Sequence, residues 1–560
     1  GQEGALVPVK TRRTVVALLA AMAAVVALRV WPTHQASGSG APRLVLFISV
    51  DQMRYDYLTR FAPLYRGGFK TLLDRGAIFS NALYRHANTE TGPGHSVLLS
   101  GRSGWHSGIV ANQWFDSVLK KDVNVVEDPA VVNIGGSGAG YGASPVNFIG
   151  FTVGDMLKKR TPGSRVVGIS LKDRSAILMS GPRADAAYWF DTGSGGFVTS
   201  SYYAKTPPAW LTQWNARRLA DSPQWRLWSR LLPDEAPYLK YAGPDAVKGE
   251  YDNVDIVFPH RMREVPPTPR FYDDLRRTPF GDELLLDAAL AAMTAHHLGA
   301  DDDPDVFAVG FSSSDVIGHA YGMDSQEQMD EYLRLDLTLG RLLEEVDRRV
   351  GLDRVVIGLS ADHGAMPLVE NLMARGVAAR RVRPAEIQDP VTRALESRFG
   401  PQNGLVARFS APDFYLDLDA VARRGLSRHD VEAVAERALM DTGLVEKVYT
   451  HERLMGDPPA DDPYFPLMRR SFYQPRSPHL TVLLKDWIYM SDRPGGTGHG
   501  TPYEHDRHVP IVFLGPAIKP GTYPAACGPE DIAPTLAALL RLDYPMQDAE
   551  RVLTEMMRVE

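Results

Sequence analysis

Asp315 and His319 stand four residues apart in SSSDVIGHAYG, a spacing that puts two side chains on one face of a helical turn, near enough to share a cation. Asp362 and His363 are adjacent in LSADHGAMP, where an apolar run ends and the chain turns. Asp51 closes another apolar run, RLVLFISV, and His499 lies in GGTGHGTPYEHD between glycines that let a loop crowd an ion. Oxygen and imidazole donors of this kind suit zinc in a hydrolytic site. Taken singly, each residue has a plainer role, since Asp after a strand is more often a turn or cap residue. The joint pattern is much harder to obtain by chance.

Thr91 adds a hydroxyl to this inventory, in NTETGPGHSVLLSGR. Gly92, Pro93 and Gly94 read as a turn, with a helix starting near His95. A hydroxyl there would meet free backbone N–H groups and the positive end of a helix dipole. A bound metal can ionise it into a nucleophile. Without a metal, Thr91 or its neighbour Thr89 would simply cap the helix. Lys172 and Arg174 follow the apolar run SRVVGIS; alone, such a pair reads as a solvated basic surface.

The elements that must position these residues form a rhythm. RLVLFISV, SRVVGIS, DVFAVGFSS, DRVVIGLS and PIVFLG are short Val/Ile/Leu/Phe runs, and most end in polar residues. They suit strands buried on both faces, as in parallel sheets. Helical periodicity fills the intervals at Gln326 to Val350, Leu284 to His297 and Asp531 to Leu540. The expectation is an α/β fold: a doubly wound, mostly parallel sheet with helices on both faces. Ligands in such sheets bind beyond the carboxyl ends of the strands, which would gather the polar residues into one site.

Two stretches interrupt the rhythm. Residues 182–278 are rich in Trp, Tyr and Pro, without a clear period. Residues 369–491 read as a small inserted α/β subdomain: DFYLDLD, VEKVYT and LTVLL as strands, and a helix capped by Ser427 and closed by Gly443. The expected organisation is a leader and linker over 1–42 and a catalytic domain over 43–545 that contains the insertion.

The ordered set ISVDQMRYD, TETGPGH, VANQWFD, SLKDRSA, DVIGHAYG, ADHG and HGTPYEHDRHVP resembles the alkaline phosphatase superfamily, in its PafA-like branch with a threonine nucleophile. The resemblance runs from about Leu44 to Leu540. It implies two zinc ions, one held by Asp315, His319 and His499, the other by Asp51, Asp362 and His363 with the Thr91 oxygen. It places Asn112 on a phosphoryl oxygen, and Lys172 and Arg174 where the monoesterases of this branch carry Lys-x-Arg. Two Zn²⁺ against three aspartates leave little charge to balance a phosphoryl dianion, and two cations would restore that balance. The implied activity is phosphate monoester hydrolysis through a phosphothreonine.

The chain as a whole sets further bounds. Its 560 residues, 44% hydrophobic and 23% charged, describe a globular protein. A net charge of −7 with no long basic block disfavours nucleic acid and anionic membranes as partners. Small-molecule phosphate monoesters are the expected partners, and a monomer is the expected state. Lys10, Arg12 and Arg13 lead into an apolar run from Thr14 to Leu28 and a Ser/Gly-rich linker, QASGSGAP. That pattern predicts export to the periplasm or beyond, by a cleaved signal peptide or an uncleaved N-terminal anchor. The one cysteine, Cys527, excludes an intrachain disulfide. It precedes Gly-Pro-Glu and lacks the Arg a sulfatase would need.

Two alternatives share the scaffold. A phosphodiesterase or nucleotide pyrophosphatase would keep the ligands and threonine but replace Lys172 and Arg174 by an apolar pocket. An inactive exported metal-binding protein would have lost a ligand or the nucleophile.

Overall fold

The computed structural model describes residues 41–251, 253–547 and 550–558. The apolar run from Thr14 to Leu28 lies outside them. No helix among the described residues is long and apolar enough to cross a membrane.

Ten strands among the described residues form the central sheet: β1 (Leu44–Val50), β2 (Ala77–Phe79), β3 (Asn133–Ile134), β4 (Val166–Ser170), β5 (Ala186–Asp191), β6 (Gly196–Ser200), β7 (Asp305–Phe311), β8 (Val355–Ser360), β13 (Ile511–Leu514) and β14 (Gly521–Tyr523). Their order across the sheet is β14-β2-β13-β8-β1-β7-β4-β5-β6-β3. At its centre β8, β1, β7, β4 and β5 run parallel. Every residue of β1, β4, β7 and β8 is buried, as expected of strands covered on both faces. The register pairs Val50 with Phe311, Ser49 with Ser360 and Ser170 with Gly310, so these strands end level with one another.

Two local readings are corrected. PIVFLG forms β13, which runs antiparallel to β8. The aperiodic stretch after Pro182 supplies β5 and β6, which extend the sheet. Trp189, Phe190 and Phe197 are buried there by the helices above, so the polar alternation of a half-exposed strand is missing.

The helices that bear on the site include α1 (Thr91–Leu98), α2 (Val153–Arg160), α3 (Asp173–Ser180), α4 (Phe280–Ala295), α5 (Ser313–Tyr321), α6 (Gln326–Val350) and, after the insertion, α9 (Ile532–Leu539). On one face, α4 and α6 pack with Leu46, Ile48, Val309 and Ile357 in one core cluster. On the other, α2 and α9 pack with Val45, Phe47, Ala308 and Phe513. Alternate residues of β1 therefore feed opposite cores, the period of two at work.

The segment between β8 and β13 builds a second, four-stranded sheet from β9 (Val406–Ser410), β10 (Asp413–Leu416), β11 (Val445–Thr450) and β12 (Leu480–Leu484). Two helices, α7 (Ala385–Phe399) and α8 (Arg428–Met440), share a core with it, made by Ile387, Leu395, Phe414, Leu416, Val431, Leu439 and Val482. The Ser427 hydroxyl accepts the Asp430 N–H at the start of α8. Beyond its end, Gly443 takes φ 70, a left-handed conformation that suits a residue without a Cβ.

Candidate metal centre

Four sheet positions deliver the site. Asp51 follows β1 and donates its N–H to Phe311 O at the end of β7. The chain leaving β7 turns directly into α5, whose spacing sets Asp315 beside His319, Oδ1 to Nε2 3.2 Å. The chain leaving β8 carries Asp362 and His363, and that leaving β4 carries Lys172 and Arg174. His499 arrives from the loop before β13. The expected convergence at the carboxyl edge of one sheet is the observed geometry.

Asp315, His319 and His499 form one group of potential ligand atoms lying within 4.8 Å of each other. His499 Nε2 is 3.2 Å from His319 Nε2 and 3.6 Å from Asp315 Oδ1. A second cluster lies beside it. His363 Nε2 is 3.2 Å from Asp362 Oδ2 and 3.6 Å from Asp51 Oδ1. Asp51 also groups with Asp315 and His363, and with His95 and Asp362.

The rings are turned for ligation. His319 directs Nδ1 to Thr497 O at 2.7 Å, His499 directs Nδ1 to Thr89 O at 2.7 Å, and His363 directs Nδ1 to Gly364 O at 2.9 Å. A backbone carbonyl on Nδ1 fixes the proton there and leaves Nε2 as a donor pair for a metal. Asp362 Oδ2 and His363 Nε2 are buried without a hydrogen bond. Buried polar atoms left this way are costly unless something else binds them. The donor set therefore fits divalent cations of the zinc type.

Electrostatics bear the mark of crowded charge. Burial, then the neighbouring Asp362, pushes Asp51 up to about 7. Burial and the adjacent His363 lower His499 to about 4, which keeps its imidazole neutral and available. Burial alone would also lower His363, but Asp362 and Asp51 outweigh it and hold the ring up at about 9.

Thr91 is 1% exposed and is the first residue of α1, with Glu90 as its N-cap. The sequence reading set Gly92 to Gly94 as a turn before the helix; they form its first turn. Position 94 requires glycine, because a Cβ there would lie 2.2 Å from Asp362 O. Thr89 does not cap the helix either: its hydroxyl donates to Thr501 O. Lys172 is 7% exposed and its Nζ lies 2.6 Å from both Asp51 Oδ2 and Asp315 Oδ2, and 3.5 Å from Thr91 Oγ1. Arg174 stands half-buried, 3.8 Å from Asp173 Oδ1. Asn112 accepts the Gly92 N–H on Oδ1 at 2.6 Å, which orients its amide NH₂ away from the helix. All ten residues singled out in the sequence are thus in or beside one site.

Three others were missed. His95 is fully buried, with Nδ1 3.2 Å from Asp362 Oδ2 and Nε2 3.0 Å from Ser49 Oγ. It belongs to the GPGH motif, and that was the available signal. Gln52 gives its N–H to Asp362 Oδ1 and its Nε2–H to Asp315 Oδ1, which ties the two clusters together. Its φ of 65 is a left-handed strain costing on the order of 1 kcal/mol, and nothing in the sequence signals it. Glu90 accepts the Asn112 N–H at 2.6 Å and so holds that residue in place.

Comparison with known proteins agrees with this geometry. The family model "Type I phosphodiesterase / nucleotide pyrophosphatase" matches residues 45–508. The chain is 31% identical to alkaline phosphatase PafA of Elizabethkingia meningoseptica over 528 residues, covering 92% of this chain and 94% of that one. It is 30% identical to alkaline phosphatase PhoV of Synechococcus elongatus, covering 92% and 93%. The crystal structure of wild-type PafA superimposes with a TM-score of 0.85 at 30% identity, over 93% of this chain and 100% of that one. Murine ectonucleotide pyrophosphatase/phosphodiesterase 5, at 14% identity and a TM-score of 0.52, shares the fold alone. With the family model matching residues 45–508 and the superposition covering 93% of the chain, the chain belongs to the type I phosphodiesterase/nucleotide pyrophosphatase family of the alkaline phosphatase superfamily.

Proposed function

We propose that this chain is an exported, metal-dependent phosphate monoesterase that works through a phosphorylated Thr91. The observation that carries this reading is Lys172, a buried ammonium set between Asp51 and Asp315 and facing Thr91 Oγ1, with Arg174 two residues on. A diesterase has an ester group where a monoester has a charged oxygen, and gains less from two cations. Alkaline phosphatase relatives at about 30% identity over most of the chain support the same class. Export rests on the basic residues and apolar run that precede the described body.

Zinc ions bound by Asp315, His319 and His499, and by Asp51, Asp362 and His363, would supply Lewis acidity to the Thr91 hydroxyl and the ester oxygens. The chain's own groups do the rest. Thr91 Oγ attacks phosphorus in line with the departing alcohol oxygen, forming the phosphothreonine and releasing the alcohol. Lys172, Arg174 and the Asn112 amide bind the remaining phosphoryl oxygens, where negative charge spreads in the transition state. Water then attacks the phosphothreonine, releases phosphate and returns Thr91. Among the described residues no carboxylate or imidazole hydrogen-bonds Thr91 Oγ1, whose neighbour is the Lys172 ammonium, which agrees with ionisation of the hydroxyl by a bound cation.

The test compares kcat/KM for an aryl phosphate and its methyl diester with zinc-loaded protein. A large preference for the monoester is expected. A preference for the diester would make the chain a phosphodiesterase instead.

A further inference from the structure

A cavity of about 270 Å³ opens beside the metal-ligand residues, with His499 in its wall. Its lining includes Glu90, the residue before Thr91. Its outer side comes from the inserted segment: Asp413 and Tyr415 of β10, and Trp487 and Tyr489 beyond β12. With Phe472 and Tyr503, five aromatic residues line the same space as two carboxylates.

Asp413 has no cation beside it, whereas Glu90 feels the charge of Arg174 and of His363. Glu90 Oε2 accepts the Asn112 N–H, and Asp413 Oδ1 accepts the Val482 N–H, each at 2.7 Å or less. Neither makes an ion pair among the described residues. Lys485 and His505 also line the cavity; Lys485 is exposed, and His505 is already paired with Asp486 and Asp506. Burial, with Glu90 adding repulsion, pushes Asp413 up to about 7, so at alkaline pH it is charged and unneutralised. Trp487 is held at φ 63, in the left-handed region, which a bulky residue rarely adopts unless its surroundings impose it. That conformation places the largest ring of the inserted segment on the cavity.

From this cavity we infer a leaving-group subsite, built by the inserted segment, for phosphate monoesters whose alcohol carries a cation on an apolar body. An ammonium group attached to carbon gains from aromatic faces and from carboxylates together, whereas an uncharged isostere gains only from burial. A phosphoryl group at Thr91 would hold its alcohol portion towards Glu90 and the cavity. The proposal rests on the phosphomonoesterase reading above and deepens it.

The experiment uses zinc-loaded full-length enzyme at alkaline pH and three probes: phosphocholine, its uncharged isostere 3,3-dimethylbutyl phosphate, and methyl phosphate. The expected result is a kcat/KM for phosphocholine about tenfold above that of the isostere. Asp413→Asn keeps an oxygen for the Val482 N–H and should bring the ratio to about one. Trp487→Ala should lower both larger esters relative to methyl phosphate. Equal kcat/KM for phosphocholine and its isostere in the wild type would overturn the subsite, as would a preference that survives Asp413→Asn. Turnover of methyl phosphate alongside such a result leaves the monoesterase reading standing. Failure of every monoester would refute that reading and the subsite with it.

Discussion

Thr91 carries the bond-making of the proposed reaction and Lys172 and Arg174 its selectivity, and each makes a separable prediction. Thr91→Ala should lose turnover while still binding zinc, because Asp51, Asp362 and His363 remain; metal content and activity are both measured on the purified variant. Lys172→Ala or Arg174→Ala should cost about 2–4 kcal/mol in the monoester transition state, and much less with a methyl diester. Equal losses in kcat/KM on both substrates would reduce the pair to general support of the fold. Chelation should abolish turnover, and added zinc should restore it. At this scale the sequence was most informative where a residue type is tied to its chemistry. Asp315 and His319, four residues apart on one helix face, were legible as a pair whose potential ligand atoms meet. Gln52 was not, because an amide linking two carboxylates through a left-handed backbone leaves no pattern.

Helix α6 shows how an element can be placed by one side chain. Asp336, in its middle and 1% exposed, accepts backbone N–H groups from Arg66, Gly67, Phe69 and Lys70. It thereby caps the helix Gly68–Arg75 from outside and anchors it to the sheet's covering layer. Gly67 is required by the approach: a Cβ there would lie 2.2 Å from Asp336 O. Asp336→Ala should lower stability by about 2–4 kcal/mol, since several buried donors lose their acceptor. Asp336→Asn should recover part of it, and urea denaturation of the two variants reads the difference. The bounds of α6 agree with its periodicity to the residue, because one face meets the core and the other does not. β5 and β6 were missed for the opposite reason. Both are buried by helices that the sequence does not place above them, so their aromatic residues showed no period.

Over the whole molecule, the central sheet fixes the site, and the segment before α4 is tied to α6 through a buried histidine. His260 there lies between Asp255 and Glu327, at 3.1 and 2.8 Å. Burial alone would lower its pKa, but the hydrogen bonds to Asp255 and Glu327 outweigh it and raise it to about 9. A folded value above the unfolded one means stabilisation that is complete below the ordinary histidine range and lost as pH rises through about 9. His260→Gln should therefore be less stable than the wild type near pH ~6, with the gap narrowing towards pH ~10. A constant gap would contradict the pairing. The parallel sheet and the two helical layers followed from alternating strands and helices, whereas the strand order and the cavity between sheet and insertion did not, since both join residues far apart in sequence. The central claim is covalent, and its most direct measurement is to quench zinc-loaded enzyme in acid during turnover of a labelled phosphate monoester and map the labelled peptide. The account predicts phosphate on Thr91, and none in Thr91→Ala. Steady turnover with no labelled peptide, or label on another residue, would contradict it.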